Sequence, residues 1–377
     1  MKNVCKLLLL FLALLLLTVT VAACGDKAQG GAAEPGPYDQ EKIVVHGLQE
    51  QDFEITLADL KKLPTITKHA EAPRSNGEMV IVDATGPLLD TFLQQYGKTQ
   101  KDFSRIRFTA KDQYSIAVPS DVLANRQIIL SYINDGKPLD EEMQPVRIVI
   151  PEERAMYWVR NVARIDFETG GDQKSPNKVV FLETAAKSLP QQDYEYFDSV
   201  DKAVKTSDLI AKYADINDSS VTNVFMKASD GLQKNESKAN FLSAFIKITG
   251  DEAPKFLAPQ FPQGMHIRGL VYIIYGQTAI FDYAEGSTLL SNLNIPKQVE
   301  EGKEGIAFSQ IFKQTGLIGG NRYKFISADG NSVVLTINDL GSGGLIYRNA
   351  QGALAFTCTG SSGKKNVDDL LAIEVLP

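Results

Sequence analysis

One short pattern occurs three times in this chain and limits what the chain can fold into. It reads Arg105-Ile-Arg-Phe108-Thr-Ala-Lys-Asp112-Gln-Tyr-Ser-Ile116, then Asn223-Val-Phe-Met226-Lys-Ala-Ser-Asp230-Gly-Leu-Gln-Lys234, then Arg322-Tyr-Lys-Phe325-Ile-Ser-Ala-Asp329-Gly-Asn-Ser-Val333. Apolar side chains alternate in each, as in a strand with one buried face, and the Asp followed by Gln or Gly marks the turn into a second strand. A large apolar residue, Phe108, Met226 or Phe325, stands four positions before each Asp. Self-similarity of this kind implies repeated modules rather than one large core.

The flanks repeat too. Apolar stretches of helical period precede the units at Leu88-Leu89-Asp-Thr-Phe92-Leu93-Gln-Gln-Tyr96, Leu209-Ile210-Ala-Lys-Tyr213 and Phe308-Ser-Gln-Ile311-Phe312. Gly97 and Gly316 supply stop signals for the first and third. The closing portions run from Pro145-Val-Arg147-Ile-Val-Ile-Pro151 through Ala155-Met156-Tyr157-Trp158 to a strand at Val162–Phe167, and from Pro262-Gln-Gly264-Met265-His266-Ile267-Arg268 to one at Leu270–Ile274. The third is expected to be abbreviated, ending in Val367–Val375. The predicted modules are 41–170, 178–283 and 284–377, with the polar stretch Thr169–Asn177 and the segment Glu285–Gly305 as connections. The expected fold class is α+β: mixed-sheet modules with short helices, repeated about three times, the third packed on the second.

The N-terminus reads as an address. Lys2 and Lys6 precede an uncharged apolar run from Leu7 to Ala23, which ends in Val21-Ala22-Ala23-Cys24-Gly25. This is the layout of an export signal, too short and too poorly flanked for a stable span. Its ending resembles a bacterial lipobox, which implies that residues 1–23 are removed and that Cys24 carries the lipid. A plain secretory signal or an uncleaved anchor are the alternatives. Residues 24–40, rich in Gly, Ala and Pro, read as a flexible tether. Loss of the two leader lysines takes the formal charge from −7 to −9. The expected location is extracytoplasmic, on the cell membrane. The leader has no Arg-Arg pair, which fits export in the unfolded state.

Composition narrows the chemistry. The acidic balance and the absence of any Lys/Arg-rich run exclude a phosphate-tracking nucleic-acid binder. Three cysteines and three histidines occur in 377 residues, with no CxxC and no HExxH, so neither a zinc site of ordinary spacing nor a disulfide framework is expected.

Several spaced motifs resemble the molybdopterin-binding domain of the sulfite oxidase family. They are Phe53-Glu-Ile-Thr-Leu57-Ala-Asp-Leu60-Lys-Lys-Leu63-Pro64, Leu88-Leu89-Asp90-Thr91-Phe92-Leu93, the strand ending in Asp112, Gly136-Lys-Pro138-Leu139, and Pro145–Pro151 followed by Trp158-Val159. The resemblance covers about residues 42–168. It implies a sulfite-oxidase-like fold, and a molybdenum-ligating cysteine soon after the Leu63-Pro64 turn. The stretch Ile66-Thr-Lys-His69-Ala-Glu-Ala-Pro-Arg74-Ser-Asn-Gly77 has no cysteine, and neither His69 nor Ser75 replaces a soft thiolate. No cofactor is therefore expected, with molybdopterin as the alternative.

Candidate ligand-binding residues are Arg147 and Arg160, which lie where the resemblance places the anionic pterin and substrate and whose guanidinium forks suit oxyanions. Surface pairing with Glu152, Glu153 or Asp166 is the competing role. Tyr157 and Trp158 can floor a pocket or pack a core. Asp230 recurs with Asp112 and Asp329, which a turn explains without a ligand. Lys234 is a candidate polar rim, and His266 stands alone without a second ligand in register. Cys358 is expected to be a buried, inert thiol.

No nucleophile, base and orienter set is visible, and no catalytic residue is assigned. One reading is a membrane-anchored, non-catalytic binding or interaction protein that meets a small anionic ligand or a surface redox protein. The others are a molybdopterin-dependent oxidoreductase acting on a small oxyanion or sulfoxide, or an accessory subunit of an extracellular electron-transfer complex.

Overall fold

In each of the three repeated patterns, the apolar residue four before the Asp lies opposite an isoleucine of a neighbouring strand. Phe108 pairs with Ile165, Met226 with Ile273 and Phe325 with Ile373, all antiparallel. All six side chains are fully buried. The register then shifts by a bulge near the Asp end of the strand. The Asp itself turns the chain: its carboxylate accepts from the backbone N–H two residues on, at Tyr114, Leu232 and Asn331 (2.8–2.9 Å). The turn therefore accounts for Asp112, Asp230 and Asp329.

The computed structural model describes residues 36–74, 77–169, 175–196, 199–340, 343–360 and 363–377. The leader, Cys24 and residues 25–35 of the tether lie outside the described residues, and the end expected for the tether is corrected, since Tyr38 to Gln40 belong to the compact unit and Asp39 is buried. Tyr38–Pro377 forms one unit.

The order strand, helix, hairpin, helix, hairpin, helix occurs three times. It runs from Phe53–Thr56 to the helix Ser120–Asn125, from Lys178–Phe181 to Lys238–Leu242, and from Thr278–Phe281 to Ile337–Leu340. Helices of four to ten residues are too short to persist alone and are held by the sheets they cover. Helix Leu89–Leu93 passes through one 3₁₀ turn to Gly97, whose φ of +65° ends it. Gly316 does the same for Phe308–Thr315 at +68°.

The first module has a five-stranded sheet in the order Phe53–Thr56, Lys42–His46, Val162–Glu168, Arg105–Ala110, Ser115–Pro119. Its second layer is the hairpin Ile66–Pro73 and Met79–Gly86, extended by Ile133–Asn134 and Lys137–Pro138. The two layers enclose Ile43, Val45, Phe108 and Ile165 on one side and Ala70, Ala72 and Val82 on the other. Gly86 makes this possible, because a Cβ there would lie 2.1 Å from the Leu130 carbonyl oxygen.

Residues 178–377 are built on one eight-stranded sheet. The strands Lys178–Phe181 and Thr278–Phe281 lie parallel at its centre, Phe181 beside Phe281. Each borders the closing strand of the other half: Lys178–Phe181 pairs with Leu370–Leu376, and Thr278–Phe281 with Leu270–Tyr275. Alternation then divides the two cores. Val179, Phe181, Ala279 and Phe281 face the elements of 283–368, whereas Val180 and Ile280 face those of 182–267. Phe325 and Phe356 stack at 3.8 Å in the former core, which also buries Cys358.

Two expectations are corrected. Glu285–Gly305 is not a connection, since it begins inside the helix Tyr283–Asn292. Asp282 caps that helix by accepting from the Glu285 N–H, and Leu289 and Leu290 are buried on it. Its many small polar residues lie on the other face and disguise it. The chain passes between the halves through the two residues Gly276 and Gln277 instead. Nor is the last closing portion abbreviated, because Leu345–Arg348, Leu354–Gly360, Gly363–Asp368 and Leu370–Leu376 complete it as four strands.

Candidate functional site

A cleft of about 930 Å³ lies where the first module meets the chain that follows it. One wall comes from the first module: Pro73 and Arg74 at the end of a hairpin strand, Tyr114 after the Asp112 turn, and Arg154-Ala155-Met156. The other comes from Asp230 and Leu232 at the second turn, Glu252 and Lys255, and Gln263, Gly264, His266 and Arg268. The hydroxyl of Tyr114 donates to the Met156 carbonyl at 2.9 Å, and its ring borders Gly264, where a Cβ would come within 3.0 Å of it.

The walls are tied together beside the cleft. Arg107 donates to the Asn235 carbonyl (3.2 Å) and to the Asn223 side chain, while Asn223 donates to Glu168 at 2.9 Å. Glu168 also receives Arg105 at 2.5 Å.

Four cationic side chains line the cleft, Arg74, Arg154, Lys255 and Arg268, against two carboxylates, Asp230 and Glu252. Glu252 holds both Lys255 and Arg268 at 2.7 Å, and these two partners draw its carboxyl below the usual carboxylate range. Arg154 meets the Asp230 carbonyl at 3.2 Å and its carboxylate at only 3.9 Å. Burial pushes the half-buried His266 imidazole below the usual histidine range, so it adds no charge at neutral pH; Nε2 donates to the Ala258 carbonyl at 3.3 Å.

Of the residues expected from the sequence, Asp230 and His266 line this cleft. Lys234 is not on a rim. It is 2 % exposed, donates to the Met265 carbonyl at 2.8 Å and pairs with the fully buried Glu236 at 3.3 Å. Tyr157 and Trp158 belong to the core of the first module, and the Trp158 indole donates to the Ile150 carbonyl at 2.8 Å. Arg147 stacks over Trp158 at 5.2 Å, with its Nε buried and without a partner. Burial, Arg160 and Arg74 all press its pKa down. Arg160 is exposed. The surface pairs considered for Arg147 and Arg160 are made by other arginines: Arg126 takes Glu152 and Glu153, and Arg164 takes Asp166.

Sequence reasoning missed Arg74, Tyr114, Arg154, Glu252, Lys255 and Arg268. Arg154 and Arg268 each flank a motif that repeats, and that position was the available signal. Nothing in the order of residues says that these two segments face one another.

Residues 34–176 match the family model of the oxidoreductase molybdopterin binding domain. The match falls on the first module, which is similar to the domains of that family. Among solved structures, the chain is similar to the sulfane dehydrogenase SoxCD from Paracoccus pantotrophus, at 14 % identity with a TM-score of 0.32. The likeness covers 59 % of this chain and 62 % of that one, so the chain spans about three fifths of the length of that protein. No curated protein matches the chain.

The molybdopterin-binding-type domain can be tested against the group its family name implies. Residues 34–176 contain no cysteine. The strand Ile66–Pro73, which follows the Leu63-Pro64 turn, pairs with Met79–Gly86 along its whole length and turns Ala70 and Ala72 inward, both buried and without a donor atom. The sole histidine of that strand, His69, faces outward, where it is exposed and pairs with Asp83 at 2.7 Å. Cys358 is buried in the sheet of Leu354–Gly360, and burial raises its thiol pKa. Among the described residues no group of three or more His, Cys, Asp or Glu side chains is placed to hold a metal ion. The donor set does not fit a thiolate-bound molybdenum.

Proposed function

We propose that this chain is an exported, lipid-anchored binding protein whose molybdopterin-binding-type domain has a ligand-binding rather than a catalytic role. The observation that carries the reading is the donor set: a domain similar to those of that family, with alanines, not a thiol, on the inward face of the strand after Leu63-Pro64. A soft thiolate is the ligand that suits molybdenum, and carboxylates, imidazoles and hydroxyls do not replace it in kind. The lipobox-like Val21-Ala22-Ala23-Cys24 and the Gly- and Ala-rich segment behind it support the anchor. The excess of cations in the cleft, in a chain of formal charge −7, supports an anionic ligand.

The test is metal analysis and intact mass of the full chain purified from its own host. The expected result is no stoichiometric molybdenum and a diacylated mass beginning at Cys24. One molybdenum per chain would overturn the non-catalytic reading, and an unmodified N-terminus would overturn the anchor.

A further inference from the structure

We propose that the cleft between the first module and the chain that follows it binds a small organic phosphate monoester, with Arg154 and Arg268 gripping the phosphate from opposite walls and Arg74 at its mouth. The inference rests on the reading of the chain as a binding protein and names the ligand class of its site. Charge sets the class. The lining carries two more cationic than anionic side chains, which matches a dianion rather than a neutral or singly charged ligand. Arg74 also meets Glu78 at 3.2 Å, in an exposed pair that solvent screens.

The arginines are arranged for this role. Arg154 has its planar fork beside the Asp230-Gly231 turn, engaged by a carbonyl and by a carboxylate too distant for a strong pair, so it can turn two N–H donors to an oxyanion. Arg268 is held by one oxygen of Glu252 through a single nitrogen, while Lys255 occupies the other oxygen. Glu252 thereby fixes both cations at the wall of the cleft, and Arg268 meets it through one nitrogen of its fork. The two carboxylates also act against binding, and Asp230 repels an anion unless Arg154 stays between them.

Size and apolar lining set the rest of the ligand. A cleft of about 930 Å³ is large for an inorganic ion and suits a small organic molecule. Met156, Ala155, Leu232 and the Tyr114 ring supply a surface for an apolar or aromatic body. Gly264 keeps that surface open, since a side chain there would press on Tyr114. Because Arg154 and Arg268 lie on different walls, the ligand bridges the two parts of the chain.

The experiment is calorimetric titration of the full chain in detergent with phenyl phosphate, and in parallel with benzenesulfonate and inorganic phosphate. Phenyl phosphate is expected to bind one to one and at least about tenfold more tightly than either other probe, with affinity falling as salt rises. Arg154→Gln and Arg268→Gln should each weaken it by about tenfold or more, as expected for loss of a charge-assisted pair. Arg322→Gln, at the opposite end of the eight-stranded sheet from the Asp230 turn, should leave it unchanged. If either cleft variant melts below the parent protein, Arg74→Gln, at an exposed position, supplies the same comparison. Absence of phenyl phosphate binding, equal binding by the arginine variants, or equal affinity for benzenesulfonate would overturn the proposal. Phosphate esters also occur as lipid headgroups, so a second arm uses vesicles containing phosphatidic acid. Capture by those vesicles without binding of phenyl phosphate would overturn a soluble ester. Molybdenum content is measured on the same sample, so failure of the non-catalytic reading shows there and failure of the ligand class shows in the titration.

Discussion

Lys234 and Glu236 sit two residues apart on the strand Gln233–Ser237, which abuts the first module, and both are withdrawn from water. Glu236 Oε1 accepts from the Ser237 N–H (2.9 Å) and from Asn240 (3.0 Å), and Oε2 faces the lysine at 3.3 Å. Burial outweighs the carboxylate and pulls the lysine pKa down. Removing only the lysine strands a buried carboxylate, so Lys234→Met should cost about 3–5 kcal/mol in urea unfolding, whereas Lys234→Met with Glu236→Leu should recover much of that loss.

A second buried acid gives a pH signature. Burial, with Glu183 and Glu285 nearby, raises the Asp282 carboxyl well above its ordinary range, and Arg348 opposes them. A folded-state pKa above the unfolded one means that the fold holds the proton more tightly, so stability falls as pH rises from the ordinary carboxylate range through the raised one. Asp282→Asn keeps an acceptor for the Glu285 N–H and does not titrate. Its melting temperature should change less between about pH 5 and about pH 8 than that of the parent chain, as read by circular dichroism melts.

At the scale of elements, what the sequence revealed depended on whether the signal was local. The hairpins around Asp112, Asp230 and Asp329 and the helices closed by Gly97 and Gly316 follow from neighbouring residues alone, and they were legible. The helix Tyr283–Asn292 was hidden because small and polar residues dominate it, with only Tyr283, Leu289 and Leu290 as large buried side chains to announce it. Asp230 was legible as a turn but not as part of a cleft, because Arg154 faces it from 76 residues away. Gly86 illustrates the opposite relation, a local residue with a distant reason. Gly86→Ala would press a Cβ into the Leu130 backbone. The hairpin and the core behind it should lose about 1–3 kcal/mol or more, measured by chemical denaturation, with the strand amides of 79–86 exchanging faster.

At the scale of the molecule, the first module and the remainder of the chain differ in how self-contained they are. The first module pairs its own opening strand with its own closing strand, Val45 beside Ile165. The other two halves share a sheet, and neither has its central strand flanked by its own neighbours. A chain ending at Gln277 would leave Lys178–Phe181 without either partner, and the apolar face formed by Val179, Phe181 and Ile274 would be bare. That truncation should be insoluble or unfolded beyond residue 177, as judged by solubility and limited proteolysis. In the full chain, calorimetry should resolve a single transition for 178–377.

The same crossing of strands governs how the chain could be divided. Two polypeptides separated at the Gly276-Gln277 turn would each hold a half-sheet edge that only the other completes, one ending in Leu270–Tyr275 and the other beginning with Thr278–Phe281. Neither fragment is a minor piece added to a finished body. Expressed together they are complementary halves, so this turn is the natural cut for a split protein whose reassembly reports that two fused partners have met.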